Sequence, residues 1–335
     1  MATNVIFKVI NVKTQENKKT KNTKKNESLK YSTSSSSNDS NNTKPQFKII
    51  NTTSLNEYHR KEESKKLLLK NNSEMIKKNF LIDFSFPKDF IKKHSFDNEN
   101  RIKMIDYMID IFSLYKSEPK TFFLAVNIMD LYFLRTKRNI QNCDIHIIGL
   151  CSIFIASKME DLIPLRLEQV IKILCKNKYN EENIKYVEKE ILYTIQFDLI
   201  NISIFDFVNY YLFDFEIKKK KELFYIQDIY FTYKNICFFI SKLCYYEEEL
   251  CYYKNQFKVI ALFLIALDIL KGITQINNEI ETFFKNWIFY IMHNSKSSQK
   301  KIEKIYKIIV NLYQNITSGK LEFNNLLKRH KLIVF

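Results

Sequence analysis

The chain has 335 residues, and 46% of them are hydrophobic, which is enough material for two domains of ordinary size. Only 3 glycines and 4 prolines are present, which argues against the many tight turns of a sheet-rich fold and excludes Gly-rich phosphate-binding loops. The net charge is +16, but the first 50 residues hold 10 lysines against 3 acidic residues, a net +7, so much of the excess lies on one arm. Direct nucleic-acid binding is therefore not favoured.

The chain begins with a low-complexity region. Residues 1–53 are rich in Asn, Ser and Lys and poor in core-forming residues, which predicts a disordered basic arm. Within it, the basic run 18–26 fits either a nuclear-import patch or a solvated tail. Residues 54–97 are predicted to form a helix at about Ser54–Asn71, followed by an irregular strap that bends at Pro87.

The next stretch, residues 98–200, has the periodicity of five helices. The third is apolar almost all round, which predicts a central buried helix that ends near one cation, Lys158. Ser117 is expected to cap the second helix, and Asn180 the fifth. The helices are predicted at about Asn100–Tyr115, Lys120–Leu134, Ile145–Ala156, Arg166–Cys175 and Asn180–Gln196.

Residues 201–315 repeat this plan, and 316–335 form a tail. Ser203 and Asp206 predict a capping box at the first helix. Ile155, Ala156 and Lys158 align with Ile265, Ala266 and Asp268, 110 residues later, so the second repeat has an acid in place of the lysine. Helices are predicted at about Ser203–Phe213, Glu222–Cys244, Asn255–Leu270, Glu279–His293 and Ser297–Tyr313.

The cysteines have no ligand-like spacing and are expected to be core residues in a reducing compartment. Three of them are seven residues apart and could lie on one helix face. The six are Cys143, Cys151, Cys175, Cys237, Cys244 and Cys251. We expect no metal, no cofactor and no catalytic residue. There is no apolar leader at the start, and the longest apolar runs are too short to span a bilayer, so a nuclear or cytoplasmic location without membrane contact is expected.

Four segments together resemble a known family. NRIKMIDYMIDIF, KTFFLAVNIMDLYFL, IIGLCSIFIASKMED and YVEKEILYTIQFDL resemble successive helices of the cyclin box, in the same order and at similar separations. The resemblance is good over about 98–200 and looser over 201–315. It implies an all-α fold of two tandem five-helix repeats, with an extra N-terminal helix and a disordered arm before them.

The resemblance also assigns roles to individual residues. Arg101 and Asp130 match a salt bridge that ties the first two helices together. Lys158 and Glu188 match a pair on the face that grips the kinase's regulatory helix and activation segment. Without the resemblance, Glu188 would be read as a surface acid that pairs with Lys185.

A third set of positions departs from the family. Many cell-cycle cyclins recruit substrates through an M-R-A-I-L patch followed by a tryptophan. Asn100, Met104 and Tyr107 stand at these positions here, and Lys103 adds a charge. We therefore expect a degenerate docking patch with weakened binding of R-x-L peptides.

The function implied by the resemblance is that of a regulatory subunit which binds and activates a cyclin-dependent protein kinase, without being an enzyme or an obligate homo-oligomer. One alternative is a transcription factor of the TFIIB type, which also has two cyclin-like repeats. Its usual Cys-rich zinc ribbon has no counterpart here, since no cysteine precedes Cys143. A cyclin-fold scaffold that binds no kinase is a further alternative.

Overall fold

The computed structural model describes residues 83–200, 202–218, 227–295, 298–320 and 325–329. In these ranges the regular secondary structure is helical, apart from an isolated bridge between Ser95 and Gln141. The predicted all-α fold is confirmed. The predicted arm 1–53 and the predicted helix Ser54–Asn71 lie outside the described residues. None of the helices described is long and apolar enough to cross a membrane.

The first repeat has a central helix surrounded by the others. Helix α3 packs against α1, α2 and α5, and its residues from Ile148 to Ser157 are all buried. Gly149 lets α1 approach closely, because a Cβ at this position would lie 2.4 Å from Cγ of Met104. The helices are α1 (Asn98–Leu114), α2 (Pro119–Arg135), α3 (Asp144–Glu160), α4 (Leu167–Gln169, continued by the π-helical turn Val170–Leu174) and α5 (Glu181–Thr194).

The second repeat has the same arrangement, with α9 in the centre. Its helices are α6 (Ile204–Lys218), α7 (Gln227–Leu243), α8 (Glu248–Cys251), α9 (Asn255–Ile273), α10 (Asn278–Asn294) and α11 (Gln299–Thr317). The short α8 and the 3-10 turn Cys244–Tyr246 are additions between α7 and α9. The predicted capping box is present, with Ser203 N donating to Asp206 at 2.8 Å and Asp206 N to Ser203 at 3.4 Å.

One arrangement that the cysteine spacing allowed is not present, and one prediction about the cysteines is wrong. Cys237, Cys244 and Cys251 do not share a helix face, because the chain breaks into α7, the 3-10 turn and α8 between them. Cys143 is exposed rather than buried, since it lies in the loop that precedes α3. The other five cysteines are buried as expected.

The strap and the C-terminal segment both connect the repeats. Asp83 accepts hydrogen bonds from the backbone N–H groups of Asn255 (3.0 Å) and Gln256 (2.9 Å) at the start of α9. At the strap's other end, Ser95 N donates to the carbonyl of Ile140 in the first repeat (2.9 Å). Near the C-terminus, helix α12 (Asn325–Arg329) packs on α1.

Candidate partner-binding site

Lys158 lies in the last turn of α3, and Asp161 fixes this helix end to the start of α2. The Asp161 carboxylate accepts hydrogen bonds from Ser157 Oγ (2.6 Å), Thr121 Oγ1 (2.6 Å) and Glu118 N (3.0 Å). It therefore supplies the acceptor that the N-terminus of α2 needs. The end of α3, and with it Lys158, is held in a defined position.

The predicted cap of α2 is therefore wrong. Its N-cap residue is Glu118, which makes no side-chain cap bond, while Ser117 Oγ donates to Asp161 at 3.0 Å. Sequence reasoning missed Asp161 because it lies far along the chain from α2. The signal that could have found it is the weak capping residue at Glu118, since a helix start without a local acceptor needs one from elsewhere.

Lys158 and Glu188 form an ion pair between α3 and α5. Lys158 Nζ donates to Glu188 Oε1, and the two side chains are 40% and 16% exposed. The ammonium also lies 3.7 Å from the centroid of the Phe154 ring, a cation–π contact one turn back on α3. The structure thus brings together the two residues proposed from the resemblance. The alternative partner, Lys185, pairs with Glu181 instead.

Exposed apolar side chains follow each member of this ion pair along the chain. After α3, Leu162 and Ile163 are 90% and 89% exposed. At the end of α5, Tyr193, Phe197 and Ile200 are also exposed. Large apolar residues that follow a fixed charge pair in this way are typical of an interaction surface.

The turn after α5 holds its exposed residues in an unusual backbone conformation. Gln196 and Phe197 both have φ of 56°, in the left-handed region that non-glycine residues seldom adopt. Arg135 of α2 holds the turn from both sides, because its guanidinium donates to the carbonyl of Ile195 and to Asp198 Oδ2 (2.6 Å). Phe197 is thus presented from an anchored turn.

The predicted Arg101–Asp130 pair lies in the core. Both side chains are fully buried, and the guanidinium donates from Nε and Nη2 to the two carboxylate oxygens at 2.7 and 2.6 Å. Burial alone would lower the pKa of Arg101, but the charge of Asp130, its hydrogen bond and further contributions from Cys251 and Glu248 together raise the pKa above its usual value. Nη1 donates to the carbonyl of Tyr245 at 2.9 Å, so the pair also joins the two repeats.

Asn100, Met104 and Tyr107 lie along one groove between α1 and α3, with a volume of about 290 Å³. Met104 is only 4% exposed because it packs into the space over Gly149, and Tyr107 donates its hydroxyl to the carbonyl of Leu174 at 2.7 Å. The groove therefore offers little free apolar surface. Its role as a degenerate docking patch stays a prediction.

The second repeat has a different pair at the corresponding place. Asp268 of α9 accepts a hydrogen bond from Tyr306 Oη of α11 at 2.7 Å. Burial raises the pKa of Asp268, although the Tyr306 hydrogen bond works in the opposite direction. The cation–anion pair of the first repeat is thus replaced by a hydrogen bond between an acid and a phenol.

Fold and geometry define an all-helical, two-repeat protein with a charged pair presented between the third and fifth helices of its first repeat. Residues 73–200 match the family described as the N-terminal domain of cyclins. In structure, the chain is similar to a viral cyclin from herpesvirus saimiri, with a TM-score of 0.52 and 15% identity over 73% of this chain and 99% of that one. This likeness shows the fold.

Among curated proteins, the chain is 26% identical to Cyclin-B1-1 of Arabidopsis thaliana over 114 residues, which is 34% of this chain and 26% of the relative. It is 33% identical to the G1/S-specific cyclin CCN1 of Candida albicans (strain SC5314 / ATCC MYA-2876) over 99 residues, which is 29% of this chain and 14% of the relative. These comparisons support a cyclin-family protein, with the sequence match carried by residues 73–200. The matched stretches span about a quarter or less of these relatives.

Proposed function

We propose that this protein is the regulatory subunit of a cyclin-dependent protein kinase and acts in cell-cycle control. The observation that carries the proposal is the Lys158–Glu188 ion pair between two packed helices, with exposed apolar side chains further along the chain after each member of the pair. The relatives support the same role, since they include G1/S-specific and G2/mitotic-specific cyclins.

The proposed mechanism is differential binding. A subunit that contacts the active arrangement of a kinase better than the inactive one shifts the kinase toward the active state by that difference in affinity. Moving an equilibrium from 1:99 to 99:1 takes about 5.5 kcal/mol of differential binding. In this mechanism the chain contributes a rigid surface, and the chemistry belongs to the kinase.

The exposed apolar residues and the ion pair would contribute to kinase binding in different ways. Leu162 and Ile163 are almost fully exposed, and burying such a side chain stabilises a complex by roughly 1.5–3 kcal/mol. Lys158 and Glu188 would add donors and acceptors for the partner's backbone and side chains. Desolvated near the centre of an interface, such a pair behaves as a hot spot, where truncation costs about 2 kcal/mol or more.

The test compares Lys158→Ala and Glu188→Ala with a matched pair elsewhere. Lys271 and Glu281 form an ion pair between α9 and α10, and their side chains are also 40% and 16% exposed. Each variant is expressed with an affinity tag in the native cells, the co-purifying kinase is identified, and its affinity is then measured by titration. We expect about 30-fold weaker kinase binding for Lys158→Ala and Glu188→Ala, and no change for Lys271→Ala and Glu281→Ala.

The same purification distinguishes the alternatives. Equal kinase recovery with all four variants would contradict the assigned surface. If no kinase is recovered and the chain is retained on DNA in a salt-sensitive manner, a transcription factor of the TFIIB type is favoured. If the chain neither recovers a kinase nor is retained on DNA, a kinase-independent scaffold is indicated. The nuclear or cytoplasmic location stays a prediction, which imaging of the tagged chain checks.

A further inference from the structure

A tyrosine-rich cavity lies in the second repeat, away from the residues assigned to the kinase. It has a volume of about 410 Å³, within the range of small-molecule sites. Helix α6 contributes Tyr210, Tyr211 and Asp214, which fall within about one helical turn. Helix α10 contributes Tyr290 and Asn294, four residues apart and hence on one face. Gln256, Ile291 and Ser295 complete the lining.

Two of the lining rings lie close together at a steep angle. The centroids of Tyr210 and Tyr211 are 5.2 Å apart, and their planes make an angle of 66°. Tyr211 is 9% exposed and Tyr290 is 50% exposed, so the first belongs to the floor and the second to the rim. The face of an aromatic ring carries negative charge density and attracts cations.

The charged groups of the lining also favour a cation. Asp214 is the carboxylate of the cavity, and no lysine or arginine is found among the eight described residues that line it. Burial raises the pKa of Tyr210, and the charges of Asp214 and Tyr290 raise it further. For Tyr211, burial again acts first, followed by Tyr210, Asp83 and Asp214. On a chain of net charge +16, the described lining of this cavity thus carries a carboxylate and no cationic side chain.

We propose that the cavity between α6 and α10 binds an alkylated ammonium ion, with Tyr210, Tyr211 and Tyr290 as the aromatic walls and Asp214 as the counter-charge. A bare ammonium is a compact, strongly hydrated charge, and phenol rings replace its water poorly. An alkylated ammonium presents methyl groups to the rings while keeping its positive charge, which suits an aromatic lining with one carboxylate. The ion is either a free quaternary amine or the methylated lysine of a partner peptide.

Calorimetric titration of the full chain tests the proposal with choline and its neutral isostere, 3,3-dimethyl-1-butanol. We expect choline to bind and the isostere to bind at least about tenfold more weakly, because only choline gains from the rings and from Asp214. Equal binding of the two, or no choline binding at 50 mM, would overturn the proposal.

Substitutions of the lining residues test whether choline binds in this cavity. Tyr290→Ser should weaken choline binding about fivefold or more, and Tyr290→Phe, which keeps the ring, should not. Asp214→Asn should weaken it as well. Tyr186→Ser is the control, since Tyr186 is an exposed tyrosine on α5 in the first repeat. Tyr290 is half exposed, so its replacement should leave folding intact, which a thermal melt checks. Unchanged binding in Tyr290→Ser and Asp214→Asn overturns the proposal.

A second titration separates the two sources of the cation. A short peptide with one trimethyl-lysine is compared with choline, and the same peptide with unmodified lysine serves as the reference. Tighter binding of the methylated peptide than of choline identifies a modified partner protein. Equal affinities identify a free quaternary amine. Stronger binding of the unmodified peptide than of the methylated one contradicts the preference for an alkylated ion.

Discussion

Arg101 donates a hydrogen bond of 2.9 Å from its buried guanidinium to the backbone carbonyl of Tyr245. A side chain of the first repeat thus satisfies a backbone group of the second. The same guanidinium is paired with Asp130, so one residue serves both the first repeat and the contact between the repeats. Substitutions can separate the contribution of the Asp130 ion pair to stability from that of the Tyr245 contact.

Arg101→Met should lower the free energy of unfolding by about 3–5 kcal/mol, because the Asp130 carboxylate is left buried without its partner. The double variant Arg101→Met, Asp130→Leu removes both charges and should recover most of this loss. It should remain about 1–3 kcal/mol less stable than the wild type, since the Tyr245 carbonyl still lacks its donor. Urea unfolding gives the values. A double variant as stable as the wild type would show that the contact between the repeats contributes nothing.

Asp161→Ala should destabilise the protein by about 1.5–3 kcal/mol, because four side-chain and backbone donors lose a charged acceptor. It should also weaken kinase binding, since the end of α3 that carries Lys158 is released from α2. Glu160→Ala is the matched control. Its carboxylate is paired only with the partly exposed Lys120 at 3.1 Å, among the contacts described, and its loss should cost at most about 1 kcal/mol. Similar losses in the two variants would contradict the role given to Asp161.

Replacing each of the two helical glycines by alanine should change the stability of the protein in opposite directions. In Gly149→Ala the new methyl group would lie 2.4 Å from atoms of the buried Met104, and overpacking of this kind costs about 1–3 kcal/mol. Gly272→Ala, near the end of α9, meets nothing within 4 Å and should gain about 0.5 kcal/mol from the better helix propensity. Thermal unfolding of both variants checks the contrast. If Gly149→Ala is as stable as Gly272→Ala, α1 and α3 are not in the close contact described.

His146, in the groove beside Tyr107, predicts a dependence of stability on pH. Burial lowers its pKa below the ordinary value of 6.5, and the charge of Lys178 lowers it further. The folded protein therefore binds this proton more weakly than the unfolded chain does. Its contribution to stability is complete above pH 6.5 and is lost as the pH falls through the lower pKa of the folded state.

His146→Gln removes this titration. Between about pH 7.5 and 5.5, the wild type should lose more stability than the variant, while His94, whose pKa burial also lowers, contributes equally to both. Urea unfolding at several pH values measures the two slopes. Parallel slopes would mean that His146 has the same pKa in the folded and unfolded states.

Local features of the sequence determined most of the helices. The five long second-repeat helices were predicted with ends within five residues of the described ones, apart from the predicted start at Glu222, which lies outside the described residues. Asn180 caps α5 as expected by accepting from Asn183 N at 2.8 Å. These features depend on residues at most a few positions apart, so they can be read along the chain. The buried third helix was equally clear, because a segment that is apolar all round must be covered on every side.

The pairings between distant residues were decided by the tertiary structure. From residue spacing alone, Glu188 fitted Lys185 as well as any other partner, and the pairing with Lys158 was expected only from the family resemblance. Three features had no counterpart in the sequence pattern: the capping of α2 by Asp161, the Arg101 contact with Tyr245 and the tyrosine cavity. Each depends on how loops bring separate helices together, and a periodic pattern specifies which face of a helix is buried but not which neighbour covers it.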